Sequence, residues 1–103
     1  MHIKQSLKVA VLVRALRNAF NLSQDGLAEK AGCSRPTVNR METLGDASPR
    51  TDTVDDVLRY FREQGVEVQV ADEEVVIRFT KTALENAAVG ISQSPQPKRR
   101  AYY

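Results

Sequence analysis

The 103 residues make one small domain and a tail, and so small a core gains from a second copy that buries more apolar surface. A single cysteine, Cys33, excludes an internal disulfide and a thiolate metal cluster, and no stretch approaches the length of a membrane span; we expect a cytoplasmic chain with no signal peptide and no membrane partner. The net charge of +2 hides a division: residues 1–50 carry eight Lys/Arg against four Asp/Glu, residues 51–97 carry four against nine, and Lys98 to Tyr103 adds three more basic residues, so the first half has the basic face that nucleic acid needs.

Ser6 to Phe20 reads as a helix. Its apolar positions Leu7, Val9, Leu12, Val13, Leu16 and Phe20 form one broad stripe, with Arg14 and Arg17 largely off it. After Asn21-Leu22 comes the most informative stretch, LSQDGLAEKAGCSRPTVNRME, Leu22 to Glu42. It holds two short helical patterns. Ser23 to Ala31 has an N-cap serine and buries Leu27, Ala28 and Ala31; Ser34 to Leu44 has another N-cap serine and buries Val38 and Met41. Only Gly32 and Cys33 lie between them, and a turn so tight forces a steep crossing. We expect Ala28 and Gly32 at the crossing point, where larger side chains would hold the helices apart, and Cys33 as a small buried apolar residue. Two helices so joined are a helix-turn-helix, whose second helix enters the DNA major groove.

Gly45 to Arg50 is a loop by composition. Thr51 or Thr53 is expected to cap a helix running to about Gln64, with Val54, Val57, Leu58 and Phe61 on one face. Asp52, Asp55 and Asp56 fall in its first turns, where the helix dipole favours negative charge, and Gly65 ends it. The period then changes to two. Val66, Val68 and Val70 alternate with polar residues, as do Val75, Ile77 and Phe79, and the turn is Ala71 to Glu74, which predicts a β-hairpin. Thr82-Ala83-Leu84-Glu85 has the capping-box pattern and predicts a short helix to about Val89. Ser92 to Tyr103, rich in Pro, Ser and Gln and then basic, is expected to be disordered.

Gln24, Leu27-Ala28, Ala31-Gly32, Ser34, Val38 and Glu42 together closely resemble the Cro/C1-type helix-turn-helix family of phage and bacterial regulators, over residues 7–65. Two positions depart from that pattern. Gly26 stands where the family has a charged helix former, and Pro36 lies in the first turn of the recognition helix, where its missing N–H has no intrahelical partner to lose. The resemblance implies a mainly α fold: a lambda-repressor-like helical bundle over residues 1–65, followed here by a hairpin and short helix (66–91) and a basic tail (92–103). It also implies that Gln24 bonds a phosphate and braces the recognition helix, that Arg50 is a loop phosphate contact, and that Arg17 and Glu42 form a structural ion pair.

The exposed face of the second motif helix is Arg35, Pro36, Thr37, Asn39 and Arg40. Arg can pair bidentately with guanine and Asn with adenine, and Arg35 and Asn39 lie one turn apart, so Arg35, Pro36, Asn39 and Arg40 are the expected base contacts. Ser23, Gln24, Ser34, Thr37 and Arg50 are the expected phosphate contacts. The Lys98-Arg99-Arg100 cluster is read as a solubilising end rather than a DNA contact. No nucleophile–base constellation, phosphate-cradling glycine loop or metal spacing is present, so we expect no enzyme activity, no cofactor and no metal.

An isolated two-stranded hairpin is marginal in water, and its apolar face needs a cover, either the same chain's helices or another subunit. Val66, Val68, Val70, Val75, Val76, Ile77 and Phe79 are the expected dimerisation residues, with Leu84, Ala87, Ala88 and Ile91 of the last helix contributing. The resulting expectation is a homodimeric repressor on a palindromic double-stranded DNA operator, autoregulating its own operon, of phage or mobile-element type including anti-CRISPR operons. The alternative is an antitoxin or adaptor that binds a toxin-like protein through its C-terminal part. Only Tyr102 and Tyr103 could anchor such a partner from the tail, which favours the first reading.

Overall fold

The structure, a computed structural model, describes residues 4–44 and 50–93. Residues 45–49 of the expected 45–50 loop, most of the expected disordered tail and its Lys98-Arg99-Arg100 cluster lie outside the described residues. The elements are α1 (Gln5–Ala19), α2 (Gln24–Ala31), α3 (Arg35–Glu42), α4 (Thr51–Glu63), β1 (Val66–Val70), β2 (Val75–Phe79) and α5 (Lys81–Gln93). The fold is mainly helical, with one antiparallel hairpin paired Val66–Phe79, Val68–Ile77 and Val70–Val75. None of the described helices is long and apolar enough to cross a membrane.

α1 buries Val9, Ala10, Leu12, Val13 and Leu16, and Phe20 at its C-cap completes the stripe. Leu7 does not belong to it: 38% of its surface is exposed, and Lys8 beside it is only 8% exposed. The reason is tertiary. The Lys8 stem lies on apolar surface, and its ammonium donates to two carbonyls of the hairpin turn, Ala71 O at 2.8 Å and Asp72 O at 3.2 Å. One cation thereby ties α1 to the β1–β2 turn.

α2 and α3 begin as their serines dictate. Ser23 Oγ accepts from Gly26 N at 2.9 Å, and Ser34 Oγ accepts from Thr37 N at 3.3 Å. Ala28 is buried in the core, but Gly32 is not a spacer at the crossing point. It is exposed, and a Cβ built on it would meet nothing within 4 Å. Its backbone is left-handed at φ 75°, and that conformation, which ends α2, is what needs glycine. α3 stops at Glu42, two residues short of Leu44, because Thr43 is extended and Leu44 points to solvent. At α4 neither threonine is the cap. Arg50 holds that position without a side-chain bond, and Asp52 accepts from Thr53 N instead.

α5 starts at Lys81 and runs four residues past Val89, so Ser92 and Gln93 are helical. The Thr82 capping box is not used. Thr80 Oγ1 accepts from Ala83 N at 3.3 Å and donates to Gly65 O at 2.6 Å, so the threonine that also reaches the end of α4 becomes the cap. Gly90 lies where α5 meets the end of α1. A Cβ there would stand 2.5 Å from Phe20 O, and Asn21 Nδ2 donates to Gly90 O at 3.3 Å.

Among the described residues, one apolar core runs through the five helices and the hairpin. Val66, Ala83 and Ala87 are buried in it, and Val68, Val75, Ile77 and Phe79 pack against it. The inner face of the hairpin is thus covered by the chain's own helices. Phe20 holds the centre, 5.4 Å from the Phe61 ring and 6.4 Å from that of Phe79.

Candidate nucleic-acid interface

α3 packs against α1 and α2 through Val38 and Met41, both fully buried. That seat leaves Arg35, Pro36, Asn39 and Arg40 on its exposed side. Arg35 is loosely paired with Asp25 of α2, Nε to Oδ1 3.9 Å, with both side chains largely in solvent. Exposed pairs of this kind are worth little, so the guanidinium is available to a stronger partner.

The far end of α3 is anchored by a charge pair. Glu42 is 7% exposed; Arg17 of α1 grips it with Nε–Oε2 at 2.6 Å and a second guanidinium nitrogen at 2.9 Å from Oε1. The same guanidinium donates to Leu22 O at 3.0 Å, so one arginine joins α1, the link into α2 and the end of α3. Burial alone would push the Glu42 carboxyl up. Hydrogen bonds from Arg17 and Gln24, with the positive charges of Arg17 and Arg14, outweigh burial and hold it below its ordinary value.

Gln24, at the start of α2, sits between this pair and the exposed face. Its Nε2 donates to Glu42 Oε1 at 3.1 Å and to Asn39 Oδ1 at 3.4 Å. Ser34 and Thr37 share one hydrogen bond between their hydroxyls at 2.8 Å, which leaves one O–H for an outside acceptor. Ser23 is exposed and occupied as a cap.

Thr37, Arg40 and Arg50 are brought together. With Met41 and Thr53 they line a cleft of about 170 Å³ between α3 and the start of α4. The local sequence of Thr53 suggests only a cap, and nothing in it signals a place in a cleft shared with α3. Arg50 pairs with Asp52 at 3.2 Å on the open surface. Cys33, in the turn between α2 and α3, is half-buried; desolvation, then the charge of Asp56, push its thiol up, so it stays protonated near neutrality.

The hairpin packs on α4, α1 and α5, and its Val70 shares a pocket with Thr51 and Val54 at the start of α4. Val66 is in the core, while Val70 and Val76 each leave 42% of their surface exposed. On α5, Ala87 is buried and Leu84, Ala88 and Ile91 are exposed.

A family model described as a helix-turn-helix domain matches residues 9–71, more than half of the chain. No curated protein and no solved structure matches it.

Proposed function

The chain belongs to the helix-turn-helix domain family, and from that premise we propose that it is a sequence-specific transcriptional regulator of Cro/C1 type, a homodimeric repressor that binds an inverted-repeat operator and autoregulates its operon. The observation that carries the reading is the division of α3. Val38, Met41 and Glu42 lock one side into the fold, and the other side offers two arginines, an asparagine and a proline to solvent. A helix that served only the core would not need that face. Arg35, Asn39 and Arg40 are assigned to base edges, with Pro36 in apolar contact. Ser34, Thr37 and Arg50 are assigned to phosphates, with Ser23 contributing beside its cap role.

The test compares selected and random duplexes over a range of salt. Arg35→Ala or Asn39→Ala should cost about 1–3 kcal/mol on the selected sequence and much less on random DNA. Arg50→Ala should weaken both alike and lower the salt slope by about one unit. Equal losses on both DNAs for Arg35→Ala would refute base readout there. Footprinting upstream of the protein's own gene tests autoregulation.

An eight-residue recognition helix reads only a few base pairs, which is why a second copy is proposed. The dimer surface is assigned to the apolar groups left open after the hairpin has packed: Val70 and Val76, with Leu84, Ala88 and Ile91 of α5. Sedimentation at micromolar concentration should give a dimer, and Val76→Asp, which leaves the core untouched, should shift it to monomer. A wild-type monomer binding one-to-one on a non-palindromic site would refute the dimer.

A further inference from the structure

The notable bond at the interface is the double donation by Gln24. An amide nitrogen has two hydrogens, and here one goes to Glu42 and the other to Asn39. The ion pair dictates this orientation. Next to a carboxylate, Gln24 must present its NH₂ rather than its carbonyl; Asn39, meeting an NH₂, must turn its own carbonyl toward Gln24. Polarity is thus passed from Arg17 through Glu42 and Gln24 to a side chain on the exposed face. In this arrangement Gln24 has only its carbonyl oxygen left, which a phosphate would repel.

We propose that Gln24 is a specificity-determining positioning residue rather than a phosphate contact: it holds Asn39 carbonyl-inward, so that Asn39 meets the base edge with its Nδ2 donor. This rests on the reading of α3 as the DNA-reading helix. A donor at that point suits guanine N7 or O6, adenine N7 or thymine O4; cytosine, which offers the major groove only its N4 donor, is rejected.

The experiment selects from a pool of randomised duplexes with the full chain as wild type, Gln24→Met, Asn39→Ala and the double variant. Methionine keeps the bulk and removes both donors. The base pair that Asn39 reads is the one whose preference Asn39→Ala flattens. There, Gln24→Met should reduce the rejection of cytosine by about fivefold, the bottom of the range for a two-bond base contact, because Asn39 offers the base a single donor. Preferences elsewhere should be unchanged, and the double variant should match Asn39→Ala alone. Asn39→Asp leaves Gln24 intact and replaces the outward donor by an acceptor, so it should turn the preference at that base pair toward cytosine; it serves as the readout if Gln24→Met melts early.

Loss of affinity by one factor on every duplex, with a shallower salt dependence and an unchanged profile, would make Gln24 a phosphate contact and overturn the proposal. So would an unchanged preference in Asn39→Asp. If the wild type enriches no sequence, the DNA-reading assignment falls and the proposal with it. An enriched sequence with an unaltered Gln24→Met profile defeats the proposal alone.

Discussion

Arg17→Met is expected to cost the fold about 3 kcal/mol at neutral pH, the loss that follows when one partner of a buried ion pair is removed and the other stays. Glu42 cannot turn to water. Its side chain is 4% exposed, that of Arg17 is 19%, and among the described residues Gln24 would be left as its side-chain donor. The pH dependence identifies the cause. In the wild type, Glu42 titrates below its ordinary value, so its stabilising contribution is full above the unfolded value of about 4.3 and is lost as pH falls through the folded one. Without Arg17, desolvation dominates and raises the carboxyl. The variant then gains relative stability in mild acid, where Glu42 takes a proton. Urea melts at neutral pH and near pH ~4 should therefore show the gap between the two proteins closing. A cost that is the same at both would assign the effect to packing of the arginine stem, because only the charge titrates.

The same pair shows why some of this molecule was readable from sequence and some was not. Local chemistry announces the caps at Ser23 and Ser34, the change of period at Val66 and the end of α4 at Gly65, because each is settled within a few residues of itself. Lys8 could not be read that way. A lysine at an apolar position looks like an error in the stripe until its partners, more than sixty residues along, are known. Thr80 displaced Thr82 as a cap for a similar reason: its hydroxyl also meets Gly65 O across the fold, which local pattern cannot register. Gly32 ends α2 rather than spacing the crossing; small size and left-handed backbone both call for glycine, and the open space around a Cβ there together with φ 75° tells them apart.

At the interface the residue types were legible, and their bonding was not. Arg35, Asn39 and Arg40 follow from helical spacing once Val38 and Met41 face inward. That Gln24 spends both hydrogens within the protein depends on side-chain direction, which spacing leaves open. The cleft joining Thr37, Arg40, Arg50 and Thr53 depends on how α4 returns to α3. The open apolar face of α5 was legible only in part, because burial of Ala83 and Ala87, rather than Leu84 and Ile91, is decided by the close approach that Gly90 permits.

Phe61→Ala is expected to have the largest effect of any single truncation, about 4 kcal/mol. The ring is fully buried and lies against Phe20 at 5.4 Å and Tyr60 at 5.1 Å. Phe20 in turn reaches Phe79, so the cavity opens where the helices meet the hairpin. Its consequence distinguishes two descriptions of the chain. If α1 to α4 were a self-sufficient unit with the hairpin and α5 appended, the cavity would loosen the appendage first. The core contains Val66, Ala83 and Ala87 together with Leu12, Leu16 and Val57, and the expected result is that they open as one cooperative unit. Native-state hydrogen exchange should then show amides of α1, β1 and the first turns of α5 accelerating together, by about a thousandfold for a loss of that size. Phe61→Leu should give a smaller shift in the same direction, which keeps the measurement open if alanine leaves too little folded protein. Acceleration confined to β1, β2 and α5, with α1 still protected, would show that the hairpin and last helix unfold on their own, and that residues up to Gly65 hold together without them.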